Sequence, residues 1–153
     1  MINLKDVILH YMSLEKPIPT IRKAVERLAE ERAENESLDK PEQRHYDDVF
    51  LTYKMWRMLD PQKLEISIKV TAKSQELKEE MGKELFKVFD LAWLDATQNC
   101  KGNIDKAANE VKNNPAVLQA FLGKEAFLIK ALNITKSSMQ ELIEYDKKAP
   151  KFY

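Results

Sequence analysis

Residues 61–98 read PQKLEISIKVTAKSQELKEEMGKELFKVFDLAWLDATQ, and this stretch decides the fold. Leu64, Ile66, Ile68 and Val70 alternate with polar residues, the period of a half-buried strand. The same residues also give a helical face of Leu64, Ile68 and Ala72. No second convincing strand occurs elsewhere in the chain, and a lone strand leaves its backbone groups unpaired. Residues 63–72 are therefore read as helix; the strand reading would require pairing with another chain. From Lys73 to Gln98 the pattern is helical throughout. Leu77, Met81, Leu85, Val88, Phe89, Ala92 and Ala96 hold one face, and Phe86, Leu91, Trp93 and Leu94 carry apolar surface round the back. A helix apolar nearly all round is central to a core or an interface. A long helix over 73–98 is thus expected to form the spine.

The rest of the chain agrees. Only three glycines, Gly82, Gly102 and Gly123, occur in 153 residues. Phosphate loops, dinucleotide-binding turns and nucleophile elbows all need glycine, so the common enzyme motifs built on it are missing. Asn3 caps a short expected helix to about Met12, with Leu4 and Ile8 inward. After Pro17 and Pro19, Thr20 opens a helix with Ile21, Ala24, Val25 and Leu28 in register. Its polar second half, Ala29 to Glu36, is expected to project into solvent or fray. Pro41 starts a third helix whose stripe is Tyr46, Val49, Phe50, Tyr53 and Trp56. Asn99 to Gly102 ends the spine. Short helices around Ile104–Val111, Pro115–Leu122, Phe127–Leu132 and Met139–Ile143 complete the count. The expectation is all-α: a single irregular bundle of seven to nine helices spanning residues 1–148, with a mobile tail at 149–153.

Charge and composition narrow the function. The chain carries 25 basic and 25 acidic residues, which argues against a generic polyanion binder. Every arginine lies within the first 57 residues, so the positive C-terminal third is all lysine. No run approaches the roughly 20 apolar residues of a membrane span. Met1 to Met12 lacks the form of a signal peptide, and Cys100 has no second cysteine to pair with. These features suggest a cytoplasmic protein without membrane partners.

Candidate chemistry is sparse. Glu42 and His45 make one Glu-x-x-His, but a di-iron bundle needs two such pairs, and His10 has Val7 three residues before it. Asp6 and His10 supply two ligands at most. Cys100 beside Lys101 has no histidine near it in sequence. No metal, cofactor or catalytic residue is therefore assigned.

Residues 127–144 read FLIKALNITKSSMQELIE. The segment resembles the helix-turn-helix of phage repressors. In that resemblance Leu128 and Leu132 anchor the first helix, Asn133 takes the turn and Ile134 plugs the gap. Met139 and Leu142 bury the second helix. The resemblance implies DNA contact by Lys136, Ser137, Ser138 and Gln140 within 124–145, since Gln reads adenine edges and Lys and Ser suit phosphates. Ile129 where the family has a small residue, and Glu141 and Glu144 on the recognition side, depart from the pattern.

The preferred expectation is a small non-catalytic adaptor or inhibitor. It binds another protein through Tyr46, Tyr53, Trp56 and Trp93, with a composition that suits a virus or mobile-element accessory protein. A sequence-specific DNA-binding regulator is the alternative. A homo-oligomer formed through Phe86–Leu94 is a third.

Overall fold

The computed structural model describes residues 18–148. Of these, 85% are helical, in seven helices with no strand, so the protein is all-α. The helices are α1 (Ile18–Asn35), α2 (Gln43–Leu59), α3 (Pro61–Met81), α4 (Lys83–Asn99), α5 (Ile104–Lys112), α6 (Pro115–Ala120) and α7 (Glu125–Lys148). The expected Asn3–Met12 helix, the Asp6/His10 pair and the tail 149–153 lie outside the described residues.

Residues 63–72 are helical, inside α3. Leu64, Ile68 and Ala72 are buried on one face, as their spacing requires. The expected spine 73–98 is not one helix. It is divided at Gly82, whose φ of 90° lies in the left-handed region. A side-chain-bearing residue rarely adopts that conformation, so glycine sets the break. The Gly82 N–H still closes α3 on the Lys78 carbonyl at 2.9 Å, and the Gly82 carbonyl opens α4 by accepting from Phe86 N–H at 3.0 Å. The break in the helix thus leaves neither of those two groups unpaired.

Two compact units result, residues 1–76 and 77–153, with the boundary inside α3. A compact unit is defined by its internal packing, whereas a domain is one that folds alone.

In the first unit, Ile21, Ala24, Val25 and Ala29 of α1 pack with Val49, Phe50 and Tyr53 of α2 and with Leu64, Ile68 and Ala72 of α3. Ala24, Ala29 and Ala33 are all buried, so the second half of α1 does not project as its polar composition suggested. Its small apolar residues recur at near-helical spacing and permit close approach of a neighbour, while the charged residues between them point outward. The helix ends in a Schellman motif with Ser37 at φ 61°. Leu38 N–H donates to the Ala33 carbonyl at 2.9 Å and Ser37 N–H to the Glu34 carbonyl at 3.0 Å.

In the second unit, Phe86, Phe89, Ala92, Trp93 and Ala96 of α4 pack with Ile104, Ala107 and Val111 of α5, with Val117 and Phe121, and with Leu128, Ala131 and Leu132 of α7. Phe89 and Phe121 meet edge to face at 6.5 Å. Asn103 caps α5 by accepting from Lys106 N–H at 3.1 Å. Asn114 caps α6 through Ala116 N–H at 2.9 Å, with Pro115 at the first helical position.

Candidate protein-binding surface

Helix α2 is apolar on two opposite faces. His45, Val49, Phe50 and Tyr53 face the core of the first unit. On the far side, Leu51, Met55, Met58 and Leu59 recur at i, i+4, i+7 and i+8, which places them in one stripe. Their side chains are open to solvent, Met58 being 80% exposed and Leu59 66%. Trp56 borders the stripe, 40% exposed. Five large apolar residues within nine positions leave on the order of 500 Å² of apolar surface, toward the upper end of the largest patch on an ordinary monomer. Burying one such side chain is worth about 1.5–3 kcal/mol, so the stripe withholds a sizeable stabilisation until something covers it.

Side-chain contacts in the hairpin between α1 and α2 fix the N-terminal end of this helix. His45 is 1% exposed. Its Nδ1 accepts from the Glu42 backbone N–H at 2.8 Å, and its Nε2 lies 2.9 Å from the Glu36 carboxylate. With Nδ1 accepting, Nε2 is left to donate to Glu36, so both ring nitrogens have a partner. Arg44 also binds Glu36, and Glu42 at 3.0 Å. Hydrogen bonds from Arg44 and then His45 hold the Glu36 carboxyl below the ordinary glutamate value. Arg32 Nη2 adds a long contact of 3.5 Å to Thr52 Oγ1 farther along the hairpin.

The borders of the stripe are charged. Asp47 and Asp48 are exposed at its N-terminal end, one turn before Leu51. Lys54 is exposed beside Leu51 and Met58. On the other border the Lys63 ammonium lies 5.5 Å from the centre of the Trp56 ring, a cation–π contact.

The four aromatic anchors read from the sequence divide. Tyr53 and Trp93 are 3% and 6% exposed and belong to the two cores. Tyr46 is half-buried, and burial raises its phenol pKa, with Glu26 and Glu30 adding to the shift. Trp56 alone of the four borders an open face. Leu51, Met55, Met58 and Leu59 were missed because the inward stripe of Tyr46, Val49, Phe50 and Tyr53 already accounted for the helix. The second stripe, at spacings of four, three and one, was the available signal.

The turn in the phage-repressor resemblance does not form. Asn133 and Ile134 lie inside one uninterrupted helix, α7. Asn is tolerated in helix interiors at modest cost, and Leu128, Ala131, Leu132 and Ser138 continue a single buried face through that position. Ser138 is buried, and Lys136 pairs with Asp105 at 2.5 Å. Ser137 and Gln140 are exposed.

An open cleft of about 540 Å³ lies at the Gly82 break, lined by Met81, Lys83, Leu85, Val88, Ala120 and Lys124. Among the described residues, no three His, Cys, Asp or Glu side chains cluster as a metal site, and no helix is long and apolar enough to cross a membrane. Cys100 is buried. Burial pushes its thiol pKa up, and a hydrogen bond with Glu110 adds to the shift.

Comparison with protein-family models, with curated proteins and with solved structures gives no match.

Proposed function

We propose that this chain is a non-catalytic protein-binding module, an adaptor or inhibitor, that docks through the outward face of α2. The observation that carries this reading is the stripe of Leu51, Met55, Met58 and Leu59, exposed along one side of a helix whose other side is packed. Exposed apolar residues scattered singly are ordinary, but a contiguous stripe along one side of a packed helix is the form that helix-recognition surfaces take. Methionine suits the role because its flexible, polarisable side chain adapts to a partner's shape. Trp56, with Lys63 over its ring, supplies an aromatic edge of the kind enriched at binding hot spots.

The test is capture from native lysate with the whole chain as bait, comparing wild type with the double variant Leu51→Glu/Met58→Glu. A second variant, Leu118→Glu/Leu122→Glu, carries the same chemistry on exposed leucines of the second unit. Species captured by wild type and by the second variant are expected to vanish with the first. Circular dichroism first establishes that both variants fold. Identical capture by all three proteins would remove α2 as the docking face.

A further inference from the structure

We infer that the occupant of the α2 face is a second copy of this chain, packed antiparallel on the same face. This rests on the reading of α2 as a docking surface and names its partner. Three observations carry it.

The first is spacing. Leu51, Met55 and Met58 follow the four-then-three rhythm of a helix–helix seam, Asp48 bounds it with a polar residue one step before Leu51, and the helix itself ends after Leu59. A seam of this kind takes another helix with the same rhythm, and a second copy supplies one by symmetry. A two-fold contact brings the same patch of both subunits together.

The second is area. One side of a standard-size interface covers about 800 Å², of which about 57%, or roughly 450 Å², is apolar. The stripe offers on the order of 500 Å² of apolar surface. Two copies would therefore bury the apolar share of a stable dimer with little left over.

The third is charge. Asp48, Thr52 and Trp56 follow one another at four-residue steps, a row that starts beside Leu51 and turns toward the packed side of the helix at Trp56. The acidic group is at the N-terminal end of that row, and the Lys63 ammonium is over Trp56 toward the other end. An antiparallel two-fold keeps like borders together and reverses their direction. With Leu51 of each copy against Met55 of the other, Asp48 of each copy arrives beside Lys63 of the other, twice over. On the opposite border the two Lys54 side chains share a level, with Asp47 of each copy beyond them on either side. Both lysines are exposed, so solvent screens their repulsion. A parallel pairing would instead bring opposite borders together and set Asp48 of each copy against Asp47 of the other at the end of the seam.

Sedimentation velocity on the whole chain, from about 1 to 100 µM at moderate salt, tests this. Wild type is expected to move from the 17.8 kDa chain mass to twice that value as concentration rises. Met58→Glu should stay at the single-chain mass throughout. Asp48→Lys and Lys63→Glu should each weaken the dimer severalfold, because each creates two like-charge contacts. Mixing these two variants in equal amounts should restore the dimer, since the mixed pair has both contacts attractive. A wild type that remains a single chain at every concentration overturns self-pairing. Lysate capture by the α2 face then decides separately whether that face docks another protein. A dimer unchanged in Met58→Glu, or charge variants no better mixed than alone, overturns the geometry proposed.

Discussion

Phe89→Ala is the substitution whose effect the packing of the second unit fixes most closely. Phe89 is 2% exposed, and its ring meets that of Phe121, 1% exposed, at 6.5 Å and 68°. Truncating a fully buried phenylalanine costs about 3–5 kcal/mol in lost transfer energy and residual cavity. The edge-to-face pair contributes about 0.5–1.5 kcal/mol within that figure. The damage should spread to α6, which has six residues and cannot be stable as an isolated helix. Its attachment depends on Val117 and Phe121, and removing the facing ring loosens both. Against a total stability of about 5–15 kcal/mol, the loss should lower the thermal midpoint by on the order of 10 °C. Thermal unfolding followed by circular dichroism is the assay. Leu91→Ala, on the same helix but 55% exposed, serves as control and should change stability by no more than about 0.5 kcal/mol. A Phe89→Ala midpoint within about 2 °C of wild type would refute the assignment of α4 as the centre of this core.

Three further outcomes follow from individual side chains. Ser138 Oγ is buried with no hydrogen-bond partner, so Ser138→Ala should be neutral or stabilise by up to about 1 kcal/mol in urea unfolding; a loss larger than that would mean the hydroxyl is satisfied. Cys100, buried with its thiol pKa raised, should react with a thiol reagent far more slowly in the native protein than after denaturation, and equal rates would contradict its burial. Glu36 has a folded-state pKa below its unfolded value, so its contribution is present above the ordinary value of about 4.3 and is lost as pH falls below it. Thermal midpoints of wild type and Glu36→Gln should therefore differ near neutral pH and converge in acid; a gap that stays constant would show that the carboxylate's charge contributes nothing.

How far the sequence carries depends on which competing pattern wins at a given residue. Leu64, Ile68 and Ala72 were correctly taken as a helical face because the alternating pattern had nothing to pair with. The start of α6 at Pro115 and the helix end at Gly102 were legible from local chemistry alone. Gly82 was not legible as a break. A glycine inside an amphipathic run costs only about 1 kcal/mol relative to alanine, so the periodicity around it outweighed it. The opposite error occurred at Asn133. A residue that tolerates left-handed backbone was read as a turn, whereas the packing of Leu128, Ala131 and Leu132 on one side and Ser138 on the other carries α7 straight through. Ala29 and Ala33 went unread as core because small residues among charges give a weak apolar signal. The α2 face was hidden differently. Spacing marks two apolar stripes on one helix, and spacing cannot say which of them the fold covers; burial alone separates Val49 and Tyr53 from Leu51 and Met58.

The central claim is that the outward face of α2 is an association surface of this chain. Peroxide oxidation of Met55 and Met58, followed by mass spectrometry at low and high protein concentration, reads that face directly. The two side chains are 53% and 80% exposed, and the half-buried Met81 and Met139 of the second unit serve as internal references. The expected result is rapid oxidation of Met55 and Met58 in dilute protein and severalfold slower oxidation in concentrated protein, with the two references unchanged. Oxidation of Met55 and Met58 at one rapid rate across the whole concentration range would contradict the claim.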